Sequence, residues 1–398
     1  MINLELNEKH QETFGNLRQV AEHMIRPYSR KYDKAEHSYP KEMEEVAKLL
    51  ASARPVASAK SAPGEEGVKN GANLMTVTAY EAMCWGDVGL MLAMPGRGLG
   101  NAAISAVGTP EQVEKFGKRY AAMAITEPGA GSDSANISTT AVLDGDEWVI
   151  NGEKIYVTDG DRCDVVVVWA TLDKSQGKAA IKSFLVEKGT PGCEVTRLEH
   201  KLGIRASDTA AISFSDCRIP RENILGKAEI ATNAEERKKA FGGVMQTFDN
   251  TRPPVAAMSI GVARAALDLT REMLAREHIE LDFDISPANA SAIEAELYKM
   301  EAEWSAARLL VQRAAWMADN RQANSMEASM CKAKAGRMGN YVTLRCVELC
   351  GSLGYAETEL LEKFARDSKI LDIFEGTQQI QQLIVARRLL GKSSSELK

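Results

Sequence analysis

Along the first 119 residues, apolar positions recur at helical spacing. In "HQETFGNLRQVAEHMIRPYSRKY", Phe14, Leu17, Ala21 and Met24 share one face with Val20 and Ile25 beside them, and the helix is expected to end near Pro27. "NLMTVTAYEAMCWGDVGLMLAM" reads as a second, more deeply buried helical stretch. "GTPEQVEKFGKR" reads as a short helix with Thr109 as N-cap and Pro110 at its first position. From residue 120 to 228 the period falls to two. "TTAVLDGDEWVINGEKIYVTDG" contains three strand-like runs, with turn signals at Asp144-Gly145 and Asn151-Gly152. "DVVVVWATL", "AIKSFLVEKG", "CEVTRL" and "AAISFSDCRI" continue the pattern, which implies an antiparallel β domain, a barrel or a sandwich, without βαβ alternation. From residue 229 to 398 long helical patterns return in "VAAMSIGVARAALDLTREMLARE", "SAIEAELYKMEAEWSAARLLVQRAAWMADN" and "ASMCKAKAGRMGNYVTLRCVELCG". A fourth helix follows Thr377, an N-cap residue, and stops at Gly391; together these elements suffice for a four-helix bundle. "DFDISPANAS" reads as a loop between two of them.

The fold class expected is therefore an α+β multidomain chain: a helical domain over 1–119, a central antiparallel β domain, a barrel or a sandwich, over 120–228, and a C-terminal helical bundle over 229–398. A length of 398 residues accommodates three such units. Hydrophobic residues at 44% and charged residues at 26% are those of a globular protein in water. A net charge of −6 argues against nucleic-acid and anionic-membrane partners, and no apolar run approaches the roughly 18 residues of a membrane span. "MINLELNEKHQETF" carries acids where a signal or transit peptide would not. The seven cysteines are scattered without a CxxC pair, and Cys346 and Cys350, one helical turn apart, read as thiols. These features point to a reducing compartment, so a cytoplasmic protein is expected. His10, His23, His37, His200 and His278 are isolated along the chain, which argues against a histidine-based metal site or hydrolase triad.

Among the Gly-rich stretches, "GRGLGN" follows no strand of a βαβ unit, and "LLGKSS" has Ala386 where a phosphate-binding loop needs its first glycine; both read as turns and caps. "AITEPGAGSDSANIST" is a sharp loop at the entrance to the β domain, whose glycines allow close approach of backbone N–H groups to a ligand. "DIFEGTQQIQQLIVARRLLG" places Glu375 between the apolar pair Ile373–Phe374 and a glycine. Such a carboxylate is either a solvated turn residue or a general base whose pKa is raised by desolvation.

Taken together and in this order, "TEPGAGSD", "FDNTRPPVAAMSIGVARAAL" and "IFEGTQQIQ" resemble the acyl-CoA dehydrogenase family over residues 5 to 391. The resemblance implies FAD as cofactor, oxidation of an acyl-CoA thioester to 2-enoyl-CoA, and an electron-transferring flavoprotein as electron acceptor. It makes Glu375 the base that takes the α-proton while the β-hydrogen leaves as hydride to flavin N5; the alternative base position of some members is occupied here by Thr251. It places Met123, Ile125 and Thr126 along the flavin, and Gly131 and Ser132 at the FAD phosphates and the CoA chain. Tyr156 and Thr158 would lie at the isoalloxazine, with Tyr156 standing where many members have Trp. Thr377 and Gln379 would contact FAD. Phe248, Asp249, Thr251 and Arg252 would line the CoA channel, with Phe374, Gly376 and Arg387 completing the substrate site.

The departures concern assembly. Family members are usually tetramers in which an Arg-Lys-Thr-Phe stretch and a Gln-Ile-Leu-Gly-Gly stretch reach the neighbour's FAD. This chain has Glu277-His278-Ile279-Glu280 and Glu348-Leu349-Cys350-Gly351-Ser352 there. An acid facing a pyrophosphate is repulsive. The choices are a homotetramer that uses Arg276 instead, or an α2β2 heterotetramer with a paralogous chain. Two other readings compete with a competent dehydrogenase. One is a non-catalytic or half-site partner subunit and the other a flavin monooxygenase on the same fold; neither needs a buried base at Glu375.

Overall fold

The structure is a computed structural model that describes residue 4 and residues 6–52, 71–96, 98–230, 234–282, 284–393 and 396, the side chains of 234–250 and 287 excepted. Helix α1 (Glu8–Val20) starts where the Asn7 side chain accepts the His10 amide. Helical winding does not stop near Pro27. A π turn over Ala21–Ile25 and a 3-10 turn over Arg26–Tyr28 lead into α2 (Ser29–Lys34). Proline lacks an N–H and crowds the preceding turn, and the wider π turn absorbs that misfit without ending the helix. After α3 (Glu42–Ser52) comes α4 (Ala72–Gly86), then α5 (Val88–Leu92). The single helical stretch expected here is broken at Asp87, whose carboxylate accepts the Leu90 amide at 2.8 Å and starts the second piece. Helices α6 (Leu99–Val107) and α7 (Pro110–Phe116) follow, the latter opened by the expected cap, with Thr109 and Gln112 bonded reciprocally.

Eight strands come next: β1 (Ala121–Ala124), β2 (Thr140–Asp144), β3 (Glu147–Thr158), β4 (Val165–Thr171), β5 (Ile181–Glu187), β6 (Cys193–Leu198), β7 (Thr209–Pro220) and β8 (Ile224–Leu225). Their order is β6-β7-β3-β2-β4-β5-β8, with β1 beside β4. This corrects the barrel expectation, because β6 and β8 are not paired and the sheet stays open. The expected antiparallel pairing holds for β2–β3, β3–β7, β4–β5, β5–β8 and β6–β7, whereas β1 runs parallel to β4. Parallel neighbours need a long crossover, and the β2–β3 excursion supplies it. The turn expected at Asn151-Gly152 is absent. Strand β3 runs straight through with a register shift there, and Gly152 (φ +151) allows close packing where a Cβ would lie 2.5 Å from Thr139 Oγ1. Strand β4 is buried on both faces: Val166, Val168 and Ala170 join Trp148 and Phe184, while Val165 and Val167 pack with Ile104 and Phe116.

The C-terminal part comprises α8 (Ala234–Arg276), α9 (Ala292–Asp319), α10 (Ser325–Leu349), α11 (Gly351–Tyr355), α12 (Leu361–Ser368) and α13 (Gln378–Leu390). Helix α8 begins well before the stretch read from periodicity and carries Pro253 and Pro254 inside it. Neither proline can donate to the carbonyl four residues back, yet the apolar residues from Val255 to Leu274 are buried, and α8 packs against α4, α9 and α10. Helix α10 is central and touches α8, α9, α12 and α13. One buried ion cluster ties all three regions together. Lys363 of α12 meets Asp87 at 2.6 Å and also Asp367, which accepts the Ile204 amide at 2.6 Å. No disulfide forms among the described residues, and Cys346 is a buried thiol.

Candidate active site

The connection from α12 to α13 makes a left-handed turn at Glu375 (φ +57) and Gly376 (φ +91). Glycine adopts this conformation freely, whereas for glutamate it costs on the order of 1 kcal/mol. Two side chains hold the turn. Gln381 donates to the carbonyls of Glu375 (3.0 Å) and Gly376 (3.1 Å), and Lys332 Nζ donates to Gly376 O at 2.8 Å. A Cβ on residue 376 would come within 2.5 Å of Gln381 Nε2, so a side chain there would push that brace off the two carbonyls. Thr377 then caps α13 by accepting the Ile380 amide, and Gly391 (φ +62) ends it.

The Glu375 carboxylate points at α8, where Thr251 Oγ1 donates to Oε2 at 2.9 Å. Arg252, next on α8, is 4% exposed and reaches Ser329 of α10 at 3.5 Å. Burial pushes the Glu375 pKa above the carboxylate's ordinary 4.5, and the Thr251 hydrogen bond with the charges of Arg252 and Lys332 restrains the rise. Burial pulls Lys332 down to about 8, against the pull of Asp372 and Glu375. The apolar surroundings are one-sided. Phe374 packs against the bundle core, but Ile373 is 46% exposed in the single chain and desolvates nothing.

A second group gathers in the β domain. The ends of β1 and β3 are joined by Ile155 N–H to Thr126 O (2.9 Å) and by Lys154 Nζ to Ile125 O (3.0 Å). Lys154 and Glu127, both buried, form an ion pair at 2.7 Å, and Glu127 also accepts the Thr139 amide at 2.9 Å. Burial raises the Glu127 pKa, but the hydrogen bonds from Lys154, Thr139 and Ser138 outweigh it and hold the carboxylate at about 2. Burial draws Lys154 down to about 8 despite its partner. This anchor fixes the root of the "TEPGAGSD" loop, while Gly131 and Ser132 stand exposed at its tip. Met123, Ile125, Thr126 and Thr158 are half-buried. Tyr156 sits on a left-handed backbone (φ +56) with 63% of its surface exposed.

Thus Thr251, Arg252, Glu375 and Gly376 come together, and Ile125, Thr126 and Tyr156 form a second neighbourhood. Thr377 is half-buried and Gln379 exposed at the start of α13. Arg387 is ten residues beyond Thr377 on the same helix, about 15 Å further along. The side chains of Phe248 and Asp249 lie outside the described residues. Lys332, Lys154 and Gln381 are not among the residues the motifs single out. Lys332 carries a readable signal, since it falls on the apolar stripe Ala328, Cys331, Ala335, Met338 of α10, where a solvated lysine has no place.

Three family models match the chain: acyl-CoA dehydrogenase N-terminal domain over residues 7–124, middle domain over 122–217 and C-terminal domain over 241–390. Acryloyl-CoA reductase (NADH) of Anaerotignum propionicum is 32% identical over 390 residues, covering 94% of this chain and 93% of that protein. The caffeyl-CoA reductase–Etf complex subunit CarC of Acetobacterium woodii is 37% identical over 291 residues, 72% of this chain and 74% of that one. The structure of butyryl-CoA dehydrogenase from Megasphaera elsdenii superposes with a TM-score of 0.82 at 29% identity, covering 98% of this chain and 100% of that one. The chain belongs to the acyl-CoA dehydrogenase family of oxidoreductases, which are FAD-dependent flavoproteins of fatty-acid metabolism. The β-domain group fits such a cofactor: a strained, outward-held Tyr156 ring offers a flat face to a planar heterocycle, next to the Thr126 strand end. No helix of the described residues is long and apolar enough to cross a membrane.

Proposed function

We propose that this chain catalyses α,β-dehydrogenation of an acyl-CoA thioester to 2-enoyl-CoA, with Glu375 as the base that takes the α-proton. The observation that carries this reading is the half-buried Glu375 carboxylate with a raised pKa, oriented by Thr251 on a turn fixed by Lys332 and Gln381. A base for an α-C–H needs more basicity than an exposed glutamate has, together with a fixed direction, and this turn supplies both. FAD supplies the acceptor for the β-hydride. Met123, Ile125, Thr126, Tyr156 and Thr158 would hold its ring, Thr377 and Gln379 would approach it from α13, and Gly131 and Ser132 would meet its phosphates. Thr251, Arg252, Phe374 and Gly376 would line the thioester end of the site, Ser132, Phe248 and Asp249 the CoA path, and Arg387 would support the site from α13.

An electron-transferring flavoprotein is the proposed electron partner, as supported by the 37% identity to a subunit of a reductase–Etf complex. A second direction has its own support, because two relatives are named as reductases of 2-enoyl-CoA thioesters. In that direction the protonated Glu375 returns the proton to Cα. A partner subunit without chemistry is the less favoured reading, since it has no need of a strained, desolvated carboxylate. Anaerobic mixing of the yellow protein with a panel of acyl-CoA and enoyl-CoA thioesters tests the reading. Bleaching by a saturated thioester, with enoyl product in equal amount, is the expected result. Flavin that no thioester bleaches, and a reduced form that no enoyl-CoA reoxidises, would overturn it.

A further inference from the structure

Histidines isolated along the sequence are not isolated in space. Glu36 and His37 lie just after α2, and His200 follows β6, yet ligand atoms of all three lie within 4.8 Å of one another. His200 Nδ1 is 2.9 Å from Glu36 Oε2, and the two imidazole rings meet edge to face with centroids 4.9 Å apart. The other Glu36 oxygen accepts the Lys201 amide at 2.9 Å, which fixes the carboxylate as outer partners fix metal ligands. His37 is held on a left-handed backbone (φ +68), and both its ring nitrogens are buried without a hydrogen-bond partner among the described residues. A buried imidazole that neither donates nor accepts is costly unless something binds it. The neighbouring cation does not fill this role, because Lys201 Nζ is turned to Ser207 O at 2.8 Å.

The geometry points to a divalent transition-metal site of the Zn²⁺ class, with His37, His200 and Glu36 as protein ligands and water in the fourth position. Two imidazoles and one carboxylate are the donor set for Zn²⁺, whereas Mg²⁺ and Ca²⁺ prefer oxygen alone. Tetrahedral ligands at about 2.1 Å from the metal stand roughly 3.4 Å apart; ligand atoms now up to 4.8 Å apart must therefore close in, while the Glu36–His200 pair at 2.9 Å must open slightly. The His200 side chain is 84% exposed, so the adjustment falls on a ring held only by Glu36 and the His37 edge. A bound ion would clamp the end of α2 to the loop after β6, fastening the helical N-terminal region to the sheet.

The test uses the full chain as purified, stripped with chelator and titrated calorimetrically with ZnCl₂ and, separately, MgCl₂. One Zn²⁺ per chain is expected, with Mg²⁺ bound negligibly, and Co²⁺ in its place should show the intense visible bands of a four-coordinate ion. His200→Ala removes an exposed ring and should leave folding intact. It should weaken Zn²⁺ binding by at least about a hundredfold, as loss of a direct ligand exceeds loss of an outer partner. Glu36→Gln should weaken binding in the same direction. Zn²⁺ should raise the melting temperature of the wild type and not of His200→Ala. Failure of the wild type to bind Zn²⁺, equal binding of Mg²⁺, or undiminished affinity in His200→Ala would each overturn the site.

Discussion

At the scale of single residues, Glu375 meets two opposed demands. It must be desolvated enough to be basic and charged enough to accept a proton, and the Thr251 hydroxyl with the Arg252 and Lys332 charges keeps the rise in its pKa within bounds. Glu375→Gln should leave the fold and bound flavin intact and lower dehydrogenation by at least about a thousandfold, since an amide accepts no proton. Retention of more than roughly a tenth of the turnover in a stopped-flow assay would remove Glu375 from that role. The same variant has a stability signature. A carboxylate whose folded pKa is raised binds its proton more tightly when folded, so its contribution is favourable in acid and is lost as pH rises through the folded value. Replacement by the neutral amide should therefore raise the melting temperature near pH 8, and the gain should fade as the pH drops below the raised pKa toward 4.5. A melting difference that grows in acid would mean that Glu375 is charged more easily in the folded chain than in the unfolded one. Sequence reading reached Glu375 and Thr251 because both sit in motifs. It did not reach the exposure of Ile373, because burial of a turn residue depends on what packs over it.

At the scale of elements, the site is a turn braced by a neighbouring helix. Lys332 of α10 is 1% exposed and spends its ammonium on one carbonyl of the turn before α13. Lys332→Met keeps the volume but leaves that carbonyl to Gln381 alone and removes a cation near Glu375. The loosened turn should cost about a hundredfold in kcat/KM, the scale of a catalytic group displaced by an ångström. Loss of the cation should also move the acid limb of the pH profile to higher pH, since Lys332 holds the Glu375 pKa down. An unmoved limb would reduce Lys332 to packing. The "TEPGAGSD" loop is a contrasting element, rigid at its root through Glu127–Lys154 and exposed at its tip. Ser132→Tyr should thus leave the melting temperature unchanged while weakening thioester binding by roughly tenfold or more through bulk at the CoA path; calorimetric affinity equal to wild type would make the loop merely structural. Local signals sufficed for such elements as the Thr109 cap, the α13 stop and the alternating strands. They failed at Asn151-Gly152, where the glycine permits approach of Thr139 just before β2, and at Pro27, where a π turn absorbs the proline. The open sheet and the parallel β1–β4 pair were out of reach for the same reason. Period two reports alternate burial and is silent on which strands become neighbours.

At the scale of the whole molecule, the N-terminal helices, sheet and bundle meet at the buried Lys363–Asp87–Asp367 cluster, so the single chain is a tightly joined body. Its outer faces are less complete. By resemblance, a neighbouring subunit's FAD should meet Arg and Thr after α8 and Gln at the end of α10, and this chain presents Glu277, Ile279 and Glu348 there. Arg276 is the nearest substitute cation, and it is already engaged with Glu359 at 2.8 Å. Glu348 is paired with Arg345 on its own helix. Reaching a pyrophosphate would cost Arg276 its exposed pair with Glu359, and the two acids Glu277 and Glu348 near one would repel it. We propose that a homo-oligomer would leave each FAD short of its neighbour's contacts unless Arg276 were redirected to it. A paralogous chain that keeps them could serve this chain's FAD and receive none in return, giving an α2β2 assembly with one FAD per heterodimer and Glu375 as the working base. Expressed alone, the chain is expected to purify with well under one FAD per subunit and to lose flavin on gel filtration. Co-expression with paralogues encoded beside it should yield a heterotetramer with half a FAD per chain, read from the flavin absorbance and the mass in solution. Glu277→Arg in the chain expressed alone should raise flavin retention by removing the repulsion. A stable homotetramer of the unmodified chain with one tightly held FAD per subunit would rule the heteromer out.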